Sequence, residues 1–302
     1  MALSPLFPSL WSARITYFAT QFSAFLPNAT REWEGEARMG NTVKIPTVDR
    51  SVTINDYSRT ADLTAPEDID ATTQDLLINQ EKAFNFSLED LDAVQSRIPG
   101  ATLIDIKSQG AGLAMAANVD AYVNGLLTAL DTTKILAAPA AAAFNLNFIA
   151  DLDRLLTLAK LPQAGHILIM PPELVERIDD GIIAKTYGDA VLDRYFTTPL
   201  AADPAEGSNG FVFNLKRHRC FVSDSGSLRL LTGKAEADRS KTNQSVVWAY
   251  NPRDLALVMQ VNRTETYRPE KRFASAVKGL FNYGSKVLNA GRFVRFIFND
   301  AA

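Results

Sequence analysis

One cysteine, Cys220, and two histidines, His166 and His218, are all that this 302-residue chain holds of the residue types that most readily bind transition metals. A single cysteine closes no disulfide within the chain, so the fold needs no oxidising compartment. The two histidines stand far apart in sequence, and no clustered Cys, His or carboxylate ligands accompany them. A structural or catalytic metal centre is therefore not expected, and no cofactor is. The chain also lacks a Gly-x-Ser-x-Gly elbow, a phosphate-binding Gly-x-x-x-x-Gly-Lys-Ser/Thr loop and a Gly-x-Gly-x-x-Gly turn. Gly110-Ala111-Gly112 has no third glycine and follows a helical pattern rather than a strand. Asp151/Asp153 and Asp179/Asp180 are spaced so that helical geometry points their carboxylates apart, which disfavours paired acid–base work. No run approaches the roughly 20 apolar residues that span a bilayer. The stretch from Leu6 to Leu26 is broken by Pro8 and Arg14, and no basic leader precedes it, so no signal peptide and no membrane contact are expected. Basic excess is missing as well: the net charge is −3, which argues against sequence-specific nucleic-acid recognition.

What is present is an ordinary globular composition, 47% apolar and 22% charged, long enough for one large core or two modest ones. Charge is unevenly placed. Between Ala61 and Asp131 twelve acidic residues face three basic ones, whereas Arg253 to Ala302 carries nine basic and four acidic. Opposite halves of this kind meet either within one fold or between copies of it.

Residues 1–30 carry Trp11, Ile15, Phe18, Phe22 and Phe25 at spacings of three and four, the pattern of a helix with one apolar stripe. From Arg31 to Arg59 five acidic and five basic residues balance. Within that segment Val43/Ile45 and Val52/Ile54 alternate as two strands of a hairpin turning at Pro46–Ser51. A polar hairpin so long is expected to find its cover outside the subunit, so the chain reads as a building block rather than a self-contained catalyst. Thr60 to Glu81 is an acidic connector. Ala83–Phe86 reads as a short strand, with Ser87-Leu88-Glu89-Asp90 as a helix N-cap and first turn. A long helix is expected over about Ala101–Leu130, some 45 Å at 1.5 Å per residue, with Gly110 and Gly112 weakening or kinking its first half. A helix at Asn147–Ala159, a buried strand before Pro171 and a helix started by Pro172 follow. Strands are expected at 211–213, 220–222, 246–250 and 255–261, then a basic stretch, Arg268-Pro269-Glu270-Lys271-Arg272. The last strands are expected to return to the sheet of the first domain, with 132–245 inserted as a second one.

Several segments resemble, in their order, the major capsid proteins of tailed bacteriophages with the HK97 fold. They are Gly40-Asn41-Thr42-Val43-Lys44-Ile45-Pro46, Phe84-Asn85-Phe86 followed by Glu89-Asp90 and Gln95, Leu161-Pro162 through Pro171, and Tyr283-Gly284-x-Lys286-Val287-Leu288. The resemblance covers almost the whole chain. It implies an α+β HK97-like capsid fold with an N-terminal arm at 1–30 and an extended loop at 31–81. A peripheral domain would take 82–131 and 246–302, and an axial domain 132–245. It further implies hexamers and pentamers closing into an icosahedral head shell around double-stranded DNA, in the virion, after assembly in the host cytoplasm. Portal and decoration proteins are implied partners, and the DNA contact is non-specific. Members often carry a helical scaffolding extension before the arm. None stands here, so a separate scaffolding protein or a processed chain is expected. No Lys–Asn cross-link pair is assigned.

Candidate contacts between subunits are Trp11, Phe18, Phe22, Phe25, Trp33, Arg38, Lys44, Arg50, Arg59, Arg268, Lys271 and Arg272, the last three pairing with the acidic stretch. Two other readings remain: an encapsulin-like nanocompartment shell, and an enzyme with a cleft near Pro171–Asp180.

Overall fold

The structure, a computed structural model, describes residues 15–20, 22–35, 41–48, 54, 56, 59, 71–89, 100–137, 147–183, 211–223, 229–230 and 244–299. Among these residues it is α+β, with three sheets and a long helix between two of them. Helix α1 (Gly100–Thr128) is 29 residues long, about 43 Å at the α-helical rise. Met115, Val119, Val123 and Leu127 recur every fourth residue and are all buried. That single stripe presses on one face of a three-stranded sheet of β3 (Gln80–Glu89), β10 (Leu255–Tyr267) and β11 (Ala274–Val287), in the order β10-β11-β3.

On its other side the same core takes in alternate residues of a larger mixed sheet. Its described strands are β4 (Leu136–Ala137), β5 (Ile167–Met170), β6 (Phe211–Leu215), β7 (His218–Val222), β8 (Arg229–Leu230), β9 (Gln244–Tyr250) and β12 (Val294–Asn299). Ile167, Ile169, Val246, Trp248 and Tyr250 point to the α1 side. Leu168, Met170, Val247 and Ala249 point the other way, under α2 (Phe148–Leu158) and α3 (Pro172–Ile183). The two-residue period of a strand buried on both faces produces this division. Pro172 opens α3 as its fixed φ favours.

Three expectations are corrected. First, β1 (Thr42–Val48) pairs antiparallel not with 52–57 but with β2 (Ala71–Leu77), from Thr42↔Leu77 to Val48↔Ala71. The expected acidic connector is therefore partly a strand, and Ile54 lies outside any strand. Second, β3 runs through Ser87 to Glu89, where a helix start was expected, because β11 gives it a ladder of ten residue pairs. Long pairing outweighs a local capping pattern. Third, the C-terminal segment does not return to one sheet: β10 and β11 join β3, whereas β9 and β12 join β5 and β7.

Candidate functional site: an arm joint, a hairpin base and a hairpin tip

The arm meets α1 at Gly112. A Cβ there would stand 2.6 Å from the Cβ of Phe18 and 3.1 Å from the carbonyl oxygen of Ile15. Glycine lets the helical residues 15–20 lie directly on α1, so the residue expected to kink the helix instead seats the arm on it. Ile15, Ala19, Phe25 and Leu26 are fully buried. Phe25 stacks on Tyr250 at 6.3 Å between ring centroids, and Tyr250 on Phe293 at 5.2 Å.

Below this crossing one carboxylate holds the chain. Asp120 accepts from Ser23 Oγ at 2.5 Å and from the backbone N–H groups of Ala24 at 3.0 Å and Phe25 at 3.4 Å. Ser23 Oγ in turn accepts from Leu26 N–H at 3.0 Å. Burial pushes the Asp120 carboxyl up to about 6, against the pull of these donors. The arm then runs on to Thr30, which exchanges backbone hydrogen bonds of 2.8 and 3.0 Å with Leu255 and Leu257. Sequence reasoning missed Asp120. Its signal was a carboxylate one residue after Val119 on the buried stripe, a position that demands donors from elsewhere.

Of the predicted contact residues, Phe25 is enclosed by its own subunit and has no surface for a neighbour, a correction. Phe18 and Phe22, stacked at 6.4 Å, are half-buried. Trp11, Arg38 and Arg50 lie outside the described residues.

The hairpin base is likewise internal. Val43, Ile45, Leu76 and Ile78 form a small core with Ala256 and Val258 on the back of β10, and Trp33 packs against it. The expectation that the hairpin cannot bury a core of its own is therefore wrong for 42–48 and 71–78. Gly284 explains how β2 comes so close: a Cβ at that position would collide with the Leu77 carbonyl oxygen and lie 2.9 Å from the Ile78 Cα. Lys44 and Arg59 are exposed. Facing Lys44 across the ladder is Asp75.

The tip joining β10 to β11 is different. Arg268, Lys271 and Arg272 are exposed, and Phe273 is 87% exposed. At the strand ends behind it, Lys278 pairs with Glu265 at 3.1 Å and sits over the Tyr267 ring, whose hydroxyl bonds Asn85 at 3.2 Å. A surface cavity of about 500 Å³ lies nearby, lined by Ala83, Phe84, Asn85, Glu265, Lys278, Gly279 and Leu280.

Asp151 pairs with Arg154 and Asp153 with Lys216 and His218, so that carboxylate pair does point apart. The two histidines do meet: adjacent strands β5 and β7 bring their rings to 6.0 Å. Burial, then the His218 charge, lowers His166 to about 4. Burial raises the Cys220 thiol, which suits an inert core residue. Among the described residues no group of three metal-binding side chains occurs, and no helix is long and apolar enough to cross a membrane.

No protein-family model matches the chain, and no curated protein sequence does. Solved structures do match. A structure of Mycobacterium phage Che8 is 25% identical, with a TM-score of 0.63 and 90% of each chain covered. The capsid of Ralstonia phage GP4, at 11% identity, gives a TM-score of 0.63 over 95% of this chain and 92% of that one. The SrpI encapsulin complex from Synechococcus elongatus gives 0.52 at 11% identity, over 89% and 82%.

Proposed function

We propose that this chain, whose fold is the HK97-type fold of tailed-bacteriophage major capsid proteins, is the subunit of a closed virion shell. The carrying observation is that the chain matches a phage structure over 90% of the length of each, at a TM-score of 0.63. The role is structural: arm, spine helix and sheets build a body, and exposed loops join bodies. In this reading the mixed sheet with α2 and α3 is the axial domain, and α1 with the three-stranded sheet is the peripheral domain. Copies form hexamers and pentamers around the axial domains, assembling in the host cytoplasm with a separate scaffolding protein and a portal, and decoration proteins where present. Double-stranded DNA packed inside meets the wall without sequence preference. Many weak contacts per subunit make such a shell stable while leaving each contact reversible.

The extended loop is the part that would cross to a neighbour, and the fold sharpens how to test it. Val48 pairs with Ala71, so the intervening residues leave and re-enter at one point, and a short glycine linker can replace 50–69 without disturbing β1 or β2. Removing Gly40–Thr60 would instead take β1 out of its core. The 50–69 replacement is expected to give folded subunits that form no shells in negative-stain images. Normal particles from it would overturn the assignment.

The match to an encapsulin supports a second reading, a cellular container of the same fold. Purified particles holding protein cargo and no DNA would decide for that reading.

A further inference from the structure

We infer that the β10–β11 tip is a plug that docks on the β2–β3 corner of a second copy, with Phe273 seated against Leu77. This rests on the shell reading and adds a specific contact to it.

The plug is an apolar ring among cations. Phe273 is 87% exposed, and Arg268, Lys271 and Arg272 around it are exposed. It is held in place, since the Arg272 N–H donates to Pro269 O at 3.4 Å and Ala274 already pairs with Glu89. A large aromatic fixed in water on a turn is preorganised for contact, because little ordering remains to oppose binding.

The receptor is the complementary pattern. From Asp75 to Glu81 buried and exposed residues alternate, so Asp75, Leu77, Asn79 and Glu81 form one exposed row. Leu77, 55% exposed, lies between two carboxylates. Lys44 faces Asp75 across the β1–β2 ladder, which leaves Glu81 as the carboxylate most available to Lys271 or Arg272.

Plug and receptor cannot meet within one molecule. Ala274 pairs with Glu89 at one end of the β3–β11 ladder and Tyr283 with Gln80 at the other, about 30 Å away at 3.3 Å per residue. Because the two patches lie at opposite ends of this ladder, we take the contact as head-to-tail, the kind that closes into rings or continues from subunit to subunit, rather than reciprocal about a two-fold axis, which would stop at dimers. The acidic and basic halves of the sequence thus meet between copies at this point.

The test places one cysteine on each side, Phe273→Cys and Leu77→Cys, in the full chain. The native Cys220 is fully buried and does not compete. A short bismaleimide applied to assembled material is expected to give a ladder of covalent multimers on a denaturing gel. Neither single variant should give more than a dimer. Intact shells of the double variant without a ladder would overturn the plug while leaving the shell reading standing. Wild-type protein that forms no closed particles would overturn the shell reading itself. Should the double variant not assemble, charge reversal decides. Lys271→Glu with Arg272→Glu should raise the concentration needed for assembly at least tenfold, equivalent to about 1.4 kcal/mol. Glu81→Lys in the same chain should recover most of it, and no recovery would refute the pairing.

Discussion

Phe25 and Phe273 are the same side chain in opposite circumstances: one fully buried at the arm joint, the other almost bare on the β10–β11 tip. The joint has a stacking partner, Tyr250, and a carboxylate, Asp120, that takes up the polar groups exposed by a turning backbone. At the tip the backbone is closed by a turn, the Arg272 N–H donating to Pro269 O, and Phe273 stays bare. An apolar side chain on an arm is therefore no guide to where it docks. What matters is whether the same subunit supplies acceptors for the backbone beneath it. The described arm residues and the hairpin base are built into the subunit, and the exposed β10–β11 tip is the part we propose docks on a second copy.

The largest effect is expected inside the body. Gly284→Val drives a branched side chain into the β2 backbone, and loss of more than about 4 kcal/mol should leave no folded subunit, seen as absent near-UV circular dichroism. Asp120→Ala strips the acceptor from Ser23, Ala24 and Phe25. It should cost about 3 kcal/mol in urea unfolding, with faster hydrogen exchange at 15–28 and no change at the tip. If exchange in the arm is unaltered, Asp120 is not what holds it.

Acid sharpens the same contrast. The lowered His166 contributes stability that is complete above its free value of 6.5 and is lost as pH falls towards about 4. The raised Asp120 acts oppositely, its contribution complete below 3.8 and lost as pH rises through about 6. Each shift corresponds to about 3 kcal/mol, so the two largely cancel in the wild type. Asp120→Asn should therefore lose stability more steeply between pH 6.5 and 4 than wild type does. His166→Gln should instead gain stability on acidification over that range. Parallel urea-midpoint curves for all three proteins would contradict both assignments. Smallest of all is Phe273→Ser, expected to shift unfolding by no more than about 0.5 kcal/mol while preventing assembly.

Much of the local structure was legible. The helix expected over about Ala101–Leu130, with its stripe at Val119, Val123, Leu126, Leu127 and Leu130, matches α1 at Gly100–Thr128, and Pro171–Pro172 marked where β5 stops and α3 begins. Some of the candidate site was too: the cationic run at 268–272 is exposed at a tip, as its composition suggests. Phe273, directly after that run, was overlooked because a lone aromatic beside charges has no periodicity to announce it. Gly112 and Gly284 looked like a helix weakener and part of a motif, whereas each is a place where another segment's backbone arrives.

Side-chain periodicity is a property of neighbours in the chain, and it was enough to set the type of most elements, though not of 71–77 or 87–89, without any knowledge of what touches what. Partner choice is not local. That β1 takes Ala71–Leu77, that His166 lies against His218 across 52 positions, and that Asp120 clasps Ser23 from 97 residues away follow from which edges and faces meet once the core has formed. Each strand edge presents the same backbone donors and acceptors, so only burial of the attached faces selects among them.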